Sequence, residues 1–200
     1  MTLNFNQLTL AADNALKRLD NPHHRAIAAN YRLHAMLEVT GRWPEIFTPE
    51  MTVEKPFYRV ASDKGVLELD GAEAVQSFYK ALSAHDSTVM VLEDEQLVID
   101  DWGFASEAIY NTFMTGETAR HRGYADADLA KKYIERRWLC MIWPYDERAR
   151  MIGERVYPAT ATFAECAESD FLTLDGANRA FAPLIAEAQA ALRRVPAPAS

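Results

Sequence analysis

Two hundred residues, 49% of them hydrophobic and 25% charged, suffice for a single domain with one substantial core and are too apolar for extended disorder. A formal net charge of -8 and the lack of any run of five basic residues argue against nucleic acid as a partner. No apolar run approaches the ~20 residues that span a bilayer, and the amino terminus has no basic start followed by an apolar segment. With Cys140 and Cys166 as the only cysteines, a cytoplasmic protein with reduced thiols and no membrane partner is expected.

Thr9 to Leu19 reads as a weak opening helix. Asn21-Pro22 is a stronger start signal, because Asn caps and Pro suits the first helical position, so a long helix runs to about Gly41. Ala26, Ala29, Leu33, Met36, Leu37 and Thr40 share an arc of about 100° and should pack on the sheet. Asn30 and His34 fall at the rim, with Glu38 and Tyr31 nearer the opposite side. His34 and Glu38, four apart, are either an oriented acid/base pair or a solvated one. Trp43-Pro44 stops the helix. Pro56 in the following strand implies an edge or a strand end, and Tyr58 and Arg59 point to opposite sides of it. Ser62 to Asp70 forms a loop or short hairpin, and Gly71 to Ala84 a second helix closed by His85-Asp86-Ser87.

Val89 to Leu92 begins the sheet, a turn is expected at Glu93-Asp94-Glu95, and Leu97 to Gly116 reads as one long kinked strand. This stretch carries Asp100 and Asp101 before Trp102-Gly103, and Glu107 inside an apolar run. The segment after Gly116 reads as a long loop containing His121 and Arg122, with a helical turn at Asp128 to Tyr133. Glu135 to Pro158 is an antiparallel hairpin turning at Pro144 to Glu147. Both faces of these strands are apolar, which implies a sheet covered on both sides by helices, by the carboxyl-terminal helix around Phe181 to Leu192, or by a second subunit. One domain over 1–194 with a frayed 195–200 tail follows.

This element order resembles the nuclear transport factor 2-like superfamily and its SnoaL-like branch. The resemblance is carried by GRWPEIFTPEMTVEKPFYRV, DGAEAVQSFYKAL, VIDDWGFASEAIYNTF and WLCMIWPYDERARMIGERVYP, covering roughly residues 21–158. It implies an α+β fold, a cone-shaped and strongly curved, mostly antiparallel sheet wrapped around amino-terminal helices, here with an additional carboxyl-terminal helix. Such folds host cyclases, dehydratases, ketosteroid isomerases, epoxide hydrolases and carbon-carbon lyases of lignin-derived aromatic diols, as well as binding modules. Fold alone does not choose among them. Asp101 with Arg136 or Arg137 matches only part of the Asp-Arg-Asp set of one epoxide hydrolase branch.

The sequence contains no GxGxxG, Walker, GxSxG, HExxH or CxxC motif, and its five histidines are not at ligand spacing, so neither cofactor nor metal is expected. What remains is side-chain acid/base chemistry in a dry pocket. Asp101 and Glu107, flanked by Trp102, Phe104 and Tyr110, are the candidate desolvated carboxylates, with an ion pair to Arg137 as the rival role for Glu107. His34 is a second acid or base and Tyr58 an oxyanion donor. Asn30, Tyr31, Arg59, Tyr79, Trp102, Tyr110, Arg137, Trp138 and Trp143 are the candidate substrate-binding residues. The expected activity is a lyase, dehydratase or isomerase acting on a hydroxylated aromatic or polyketide-like molecule, with an epoxide hydrolase or a non-catalytic binding module as alternatives, in a homodimer.

Overall fold

The structure is a computed structural model that describes residues 3–62, 65–84 and 88–192. Helices α1 (Leu10–Arg18) and α2 (Pro22–Val39) lead into β1 (Thr52–Ser62) and β2 (Gly65–Asp70), followed by α3 (Ala72–Ala84) and the strands β3 (Met90–Asp100) and β4 (Gly103–Thr115). Then come α4 (Gly116–His121), β5 (Lys132–Pro144), β6 (Met151–Pro158), β7 (Thr162–Glu165) and α5 (Leu174–Leu192). The seven strands form one sheet in the order β2-β1-β6-β5-β4-β3, with β7 paired to β5. Only β1 and β6 run parallel. The result is the α+β architecture implied by the resemblance, a mostly antiparallel sheet curving over α2, with α5 added on the helical side. The expected closing residues His85-Asp86-Ser87, and the tail, lie outside the described residues.

Helix α2 begins where expected, the Asn21 side chain accepting from the backbone N–H groups of His23 and His24 with Pro22 next to it. The long kinked strand at Leu97 to Gly116 is instead a hairpin, because the chain reverses at Asp101-Trp102 and Asp100 pairs with Gly103. Gly103 has φ 139, and a Cβ there would meet the Trp143 carbonyl at 2.1 Å, so this reversal requires glycine. The turn expected at Glu93 to Glu95 is a β-bulge inside β3. Glu93 pairs with Ile109 and Gln96 with Glu107, leaving Asp94 and Glu95 opposite Ala108 alone. Pro56 lies at an irregularity between β1 and β6 rather than on a sheet edge, since β2 and β6 flank β1 and the register shifts between Thr52 and Phe57. The long loop after Gly116 opens with α4, whose Thr115 cap accepts from Thr118 N–H, and residues 132 and 133 expected in a helical turn belong to β5.

The main core cluster lies between the helices and the concave face of the sheet and includes Leu33, Met36, Leu37, Tyr58, Phe104 and Met141. Helix α5 joins it through Ala177, Phe181 and Ile185 and packs on α2. Its Pro183 lies well inside the helix, which begins nine residues earlier, at Leu174. Among the described residues no helix covers the middle of the convex sheet face, where Val98, Trp138 and Tyr157 stay exposed.

Candidate active site

The stripe of α2 that meets the sheet is Ile27, Asn30, Tyr31, His34 and Glu38, spanning an arc of about 100° at helical spacing. Tyr31 packs on Phe104 and Trp143, and His34 on Trp143 and Tyr79. The expected sheet-facing arc through Leu33 and Met36 is rotated away from the sheet. Helices α1 and α5 cover that apolar side, so hydrophobicity did not distinguish the face meeting the sheet from the face meeting other helices.

Two carboxylates from the sheet meet this stripe. Glu154 of β6 pairs in register with Tyr58 of β1. It accepts a hydrogen bond from Tyr79 Oη at 3.1 Å, and its Oε1 lies 3.4 Å from His34 Nε2. His34 Nε2 is also 2.9 Å from Tyr79 Oη and 3.7 Å from Glu38 Oε2. Tyr58 Oη adjoins that of Tyr79 at 3.4 Å. Burial pushes Glu154 up to about 7, with His34 pulling it down and Glu38 pushing it further up. The phenols of Tyr58 and Tyr79 are held well above their usual range, first by burial and then by Glu154, so both stay neutral donors.

The second carboxylate is Glu95, which the bulge turns inward. Tyr31 Oη donates to its Oε1 at 2.6 Å, while Oε2 is buried without a partner. Burial pushes Glu95 up to about 7, offset in part by the Tyr31 hydroxyl. Tyr110, which donates to Met141 Sδ at 2.9 Å, has its phenol raised by burial and then by Glu95, Glu38 and Glu154, so it feels both carboxylates. Further buried polar atoms without partners are His34 Nδ1, Asn30 Oδ1, Trp143 Nε1 and Tyr145 Oη. Buried polar groups are normally hydrogen-bonded, so a ligand or ordered water is needed to complete the bonding here.

The structure therefore brings together His34, Tyr58, Asn30, Tyr31, Tyr79, Tyr110 and Trp143. Asn30 also ties the helix to the chain by donating to the carbonyls of Met51 and Ala149 at 2.9 and 3.0 Å. It does not bring in the two expected carboxylates. The Asp101 side chain is 83% exposed at the hairpin tip and bonded to His24 at 2.8 Å. Glu107 is exposed on the convex face beside Cys140, because even-numbered β4 residues such as Phe104 and Ala108 take the interior. Trp102 and Trp138 are 46% and 48% exposed. Arg59 pairs with Glu68, and Arg137 with Glu135, so neither contacts the interior carboxylates; Glu107 has no bond to Arg137. The Asp-Arg-Asp set is not assembled, since Arg136 pairs with Glu93. Cys140 is exposed beside Glu107.

Glu95 and Glu154 escaped sequence reasoning for different reasons. Glu95 sits in an acidic string that looks like a turn. Glu154 stands between Gly153 and Arg155, and only its even spacing from Val156 marks its face. Among the described residues one group could hold a cation, His24, Asp100 and Asp101, whose ligand atoms lie within 4.8 Å of one another. It is a surface cluster in which His24 and Asp101 already bond each other. Two grooves of about 380 and 340 Å³ lie away from the carboxylates, beside Phe113 and the 166–175 segment.

No family model matches the chain, and no curated protein sequence matches it significantly. Solved structures similar to it include Bal32a from a soil-derived mobile gene cassette, 11% identical over 68% of this chain and 91% of that one, TM-score 0.45. SalBIII, an epoxide hydrolase/cyclase-like enzyme in pyran ring formation of the polyether salinomycin, is 12% identical over 72% and 95%, TM-score 0.45. A steroid delta-isomerase from Pseudomonas aeruginosa is 12% identical over 85% and 96%, TM-score 0.35. At these values the likenesses carry no argument about activity. The chain's own strand order is that of a mostly antiparallel sheet curved over α2, with β1 and β6 as its parallel pair next to the edge strand β2. No described helix is long and apolar enough to cross a membrane.

Proposed function

We propose that the chain is an acid/base enzyme of the lyase, dehydratase or isomerase type, acting without metal or organic cofactor on an uncharged, hydroxylated ring compound. The observation that carries this reading is the buried Glu154, pushed by that burial up to about 7 and in contact with His34 and Tyr79. A carboxyl group titrating near the working pH is the efficient proton carrier. In its ionised form Glu154 takes a proton from carbon beside a carbonyl; neutral Tyr58 and Tyr79 donate to the oxygen on which charge develops. Glu95, when protonated, supplies the proton to a departing hydroxyl, or Glu154 returns its own proton to a neighbouring carbon in an isomerisation. The aromatic rings packed beside the carboxylates, Tyr31, Phe104 and Trp143, favour a ring compound, and the absence of any Lys or Arg bonded to Glu95 or Glu154 among the described residues favours a substrate without negative charge.

The test is incubation in deuterated water with a panel of cyclic hydroxyketones and hydroxylated aromatics, read by mass spectrometry. Wild type should introduce deuterium at carbon or release water from at least one compound, and Glu154→Gln should lose this while keeping its circular dichroism spectrum. Full activity in Glu154→Gln would refute the assignment. Tight binding of a compound recovered unchanged and undeuterated would favour a binding module.

A further inference from the structure

We infer that Glu38 passes the proton collected by Glu154 to solvent through His34, so that the reaction at Glu154 is an elimination in which a proton leaves the site; this rests on the acid/base reading above. His34 Nε2 lies 3.4 Å from Glu154 Oε1 and 3.7 Å from Glu38 Oε2, so one nitrogen adjoins both carboxylates. Glu38 stands four positions after His34 on α2, which places it one turn further along the same face. The His34 side chain is 0% exposed, that of Glu154 10% and that of Glu38 18%, so Glu38 is the member of the set most open to water. A ring compound that meets Glu154 covers the little of its side chain still open, and the imidazole is then the neighbour able to take up its proton.

The groups around His34 come from four other elements. Tyr79 of α3 bonds both His34 Nε2 and Glu154, and Tyr58 of β1 adjoins Tyr79. Trp143 of β5 packs on the imidazole, and Glu154 comes from β6. Tyr110 of β4 has its phenol raised by burial and then by Glu95, Glu38 and Glu154. Among the described residues no Lys or Arg pairs with Glu38 or Glu154, so neither carboxylate is held in a structural ion pair with a fixed cation. In the step itself, the Oε1–H bond of Glu154 breaks and the proton joins Nε2 of a neutral imidazole that carries its own proton on Nδ1. The imidazolium gives the Nε2 proton to Glu38 Oε2, and Glu38 releases it to water. His34 and both carboxylates return to their starting states, with one proton moved from Glu154 to solvent. Such a route is required when the proton taken from carbon leaves in every cycle, as in dehydration. It is idle in an isomerisation, where Glu154 gives the proton back.

Rapid-quench kinetics on a compound that wild type converts test this, comparing the first turnover with the steady state. Glu38→Gln, folded by circular dichroism, should keep the first-turnover rate and lose about tenfold or more in the steady state, with the loss restored by added imidazole buffer as a substitute proton carrier. The pH limb of the first turnover that belongs to Glu154 should move down, because the Glu38 charge helps to raise Glu154. Glu154→Gln should lose both phases. An unchanged steady state in Glu38→Gln overturns the inference, as does an equal loss in both phases that imidazole does not restore, the mark of a structural role. A wild type that only isomerises, returning the original hydrogen to carbon, also overturns it while leaving the acid/base reading in place. A wild type inert toward every compound overturns both.

Discussion

His34 and Glu154 face each other across the boundary between helix and sheet, Nε2 to Oε1 3.4 Å, with the Tyr79 hydroxyl bonded to both. The contact joins an element read early in the chain to a strand 120 positions later, and each partner is buried only because the other side of the fold is in place. An imidazole and a carboxyl group so placed can exchange a proton without help from solvent.

Removal of the carboxyl group while keeping its shape should therefore abolish chemistry and spare the fold. Glu154→Gln is expected to lower turnover by about 10²–10⁴-fold, the usual contribution of a general acid or base. His34→Gln should also lower turnover and shift the acid limb of the pH profile. Steady-state rates across pH, beside circular dichroism spectra, provide the check; unchanged rates with both variants would exclude the pair from catalysis.

Glu95 predicts a pH-dependent stability. Its folded pKa, about 7, is raised above the ordinary 4.5 by burial, so the folded state holds its proton more tightly than the unfolded chain. The stabilising contribution of that proton is complete below about pH 4.5 and is lost as pH rises through about 7. Glu95→Gln removes this dependence. Relative to wild type, the variant should gain on the order of 3 kcal/mol between pH 4.5 and pH 8 in urea unfolding, at roughly 1.4 kcal/mol per pKa unit. Parallel stability curves would contradict the burial argument.

The bulge that aims Glu95 is itself testable. Asp94 has φ 55, a left-handed conformation that β-branched residues resist. Asp94→Val should cost about 1–2 kcal/mol, and Asp94→Gly should be neutral or mildly stabilising. Thermal melts of the two variants would show it, equal losses in both arguing against a conformational cause.

Gly153 precedes Glu154 where β6 meets β1 in parallel. A Cβ there would sit 1.8 Å from the Phe57 carbonyl oxygen, so Gly153→Ala must push the two strands apart. A loss of about 2–3 kcal/mol is expected, together with weakened chemistry, because Tyr58 and Glu154 pair in the same register. Denaturant unfolding tests the first part; a variant as stable as wild type would mean that the strands yield easily.

The sequence by itself determined the elements with strong local signals. The Asn21-Pro22 start of α2, the hairpin around Pro144 to Glu147, the α+β class and the placing of His34, Tyr58 and Trp143 among candidate site residues all follow from capping, turn chemistry, periodicity and the resemblance those stretches carry. The tertiary structure alone decided which carboxylates are interior. Asp101 and Glu107 stand in an apolar context along the chain, yet a hairpin tip exposes one and strand parity turns the other to the convex face. Glu95 and Glu154 look like turn or surface residues, yet a one-residue bulge and a parallel strand pairing turn them toward α2. The physical reason is the same in each case. Local propensity sets whether a segment is helix or strand, but which face is buried depends on what packs there, and α2 has α1 and α5 on its apolar side and the sheet on its polar one.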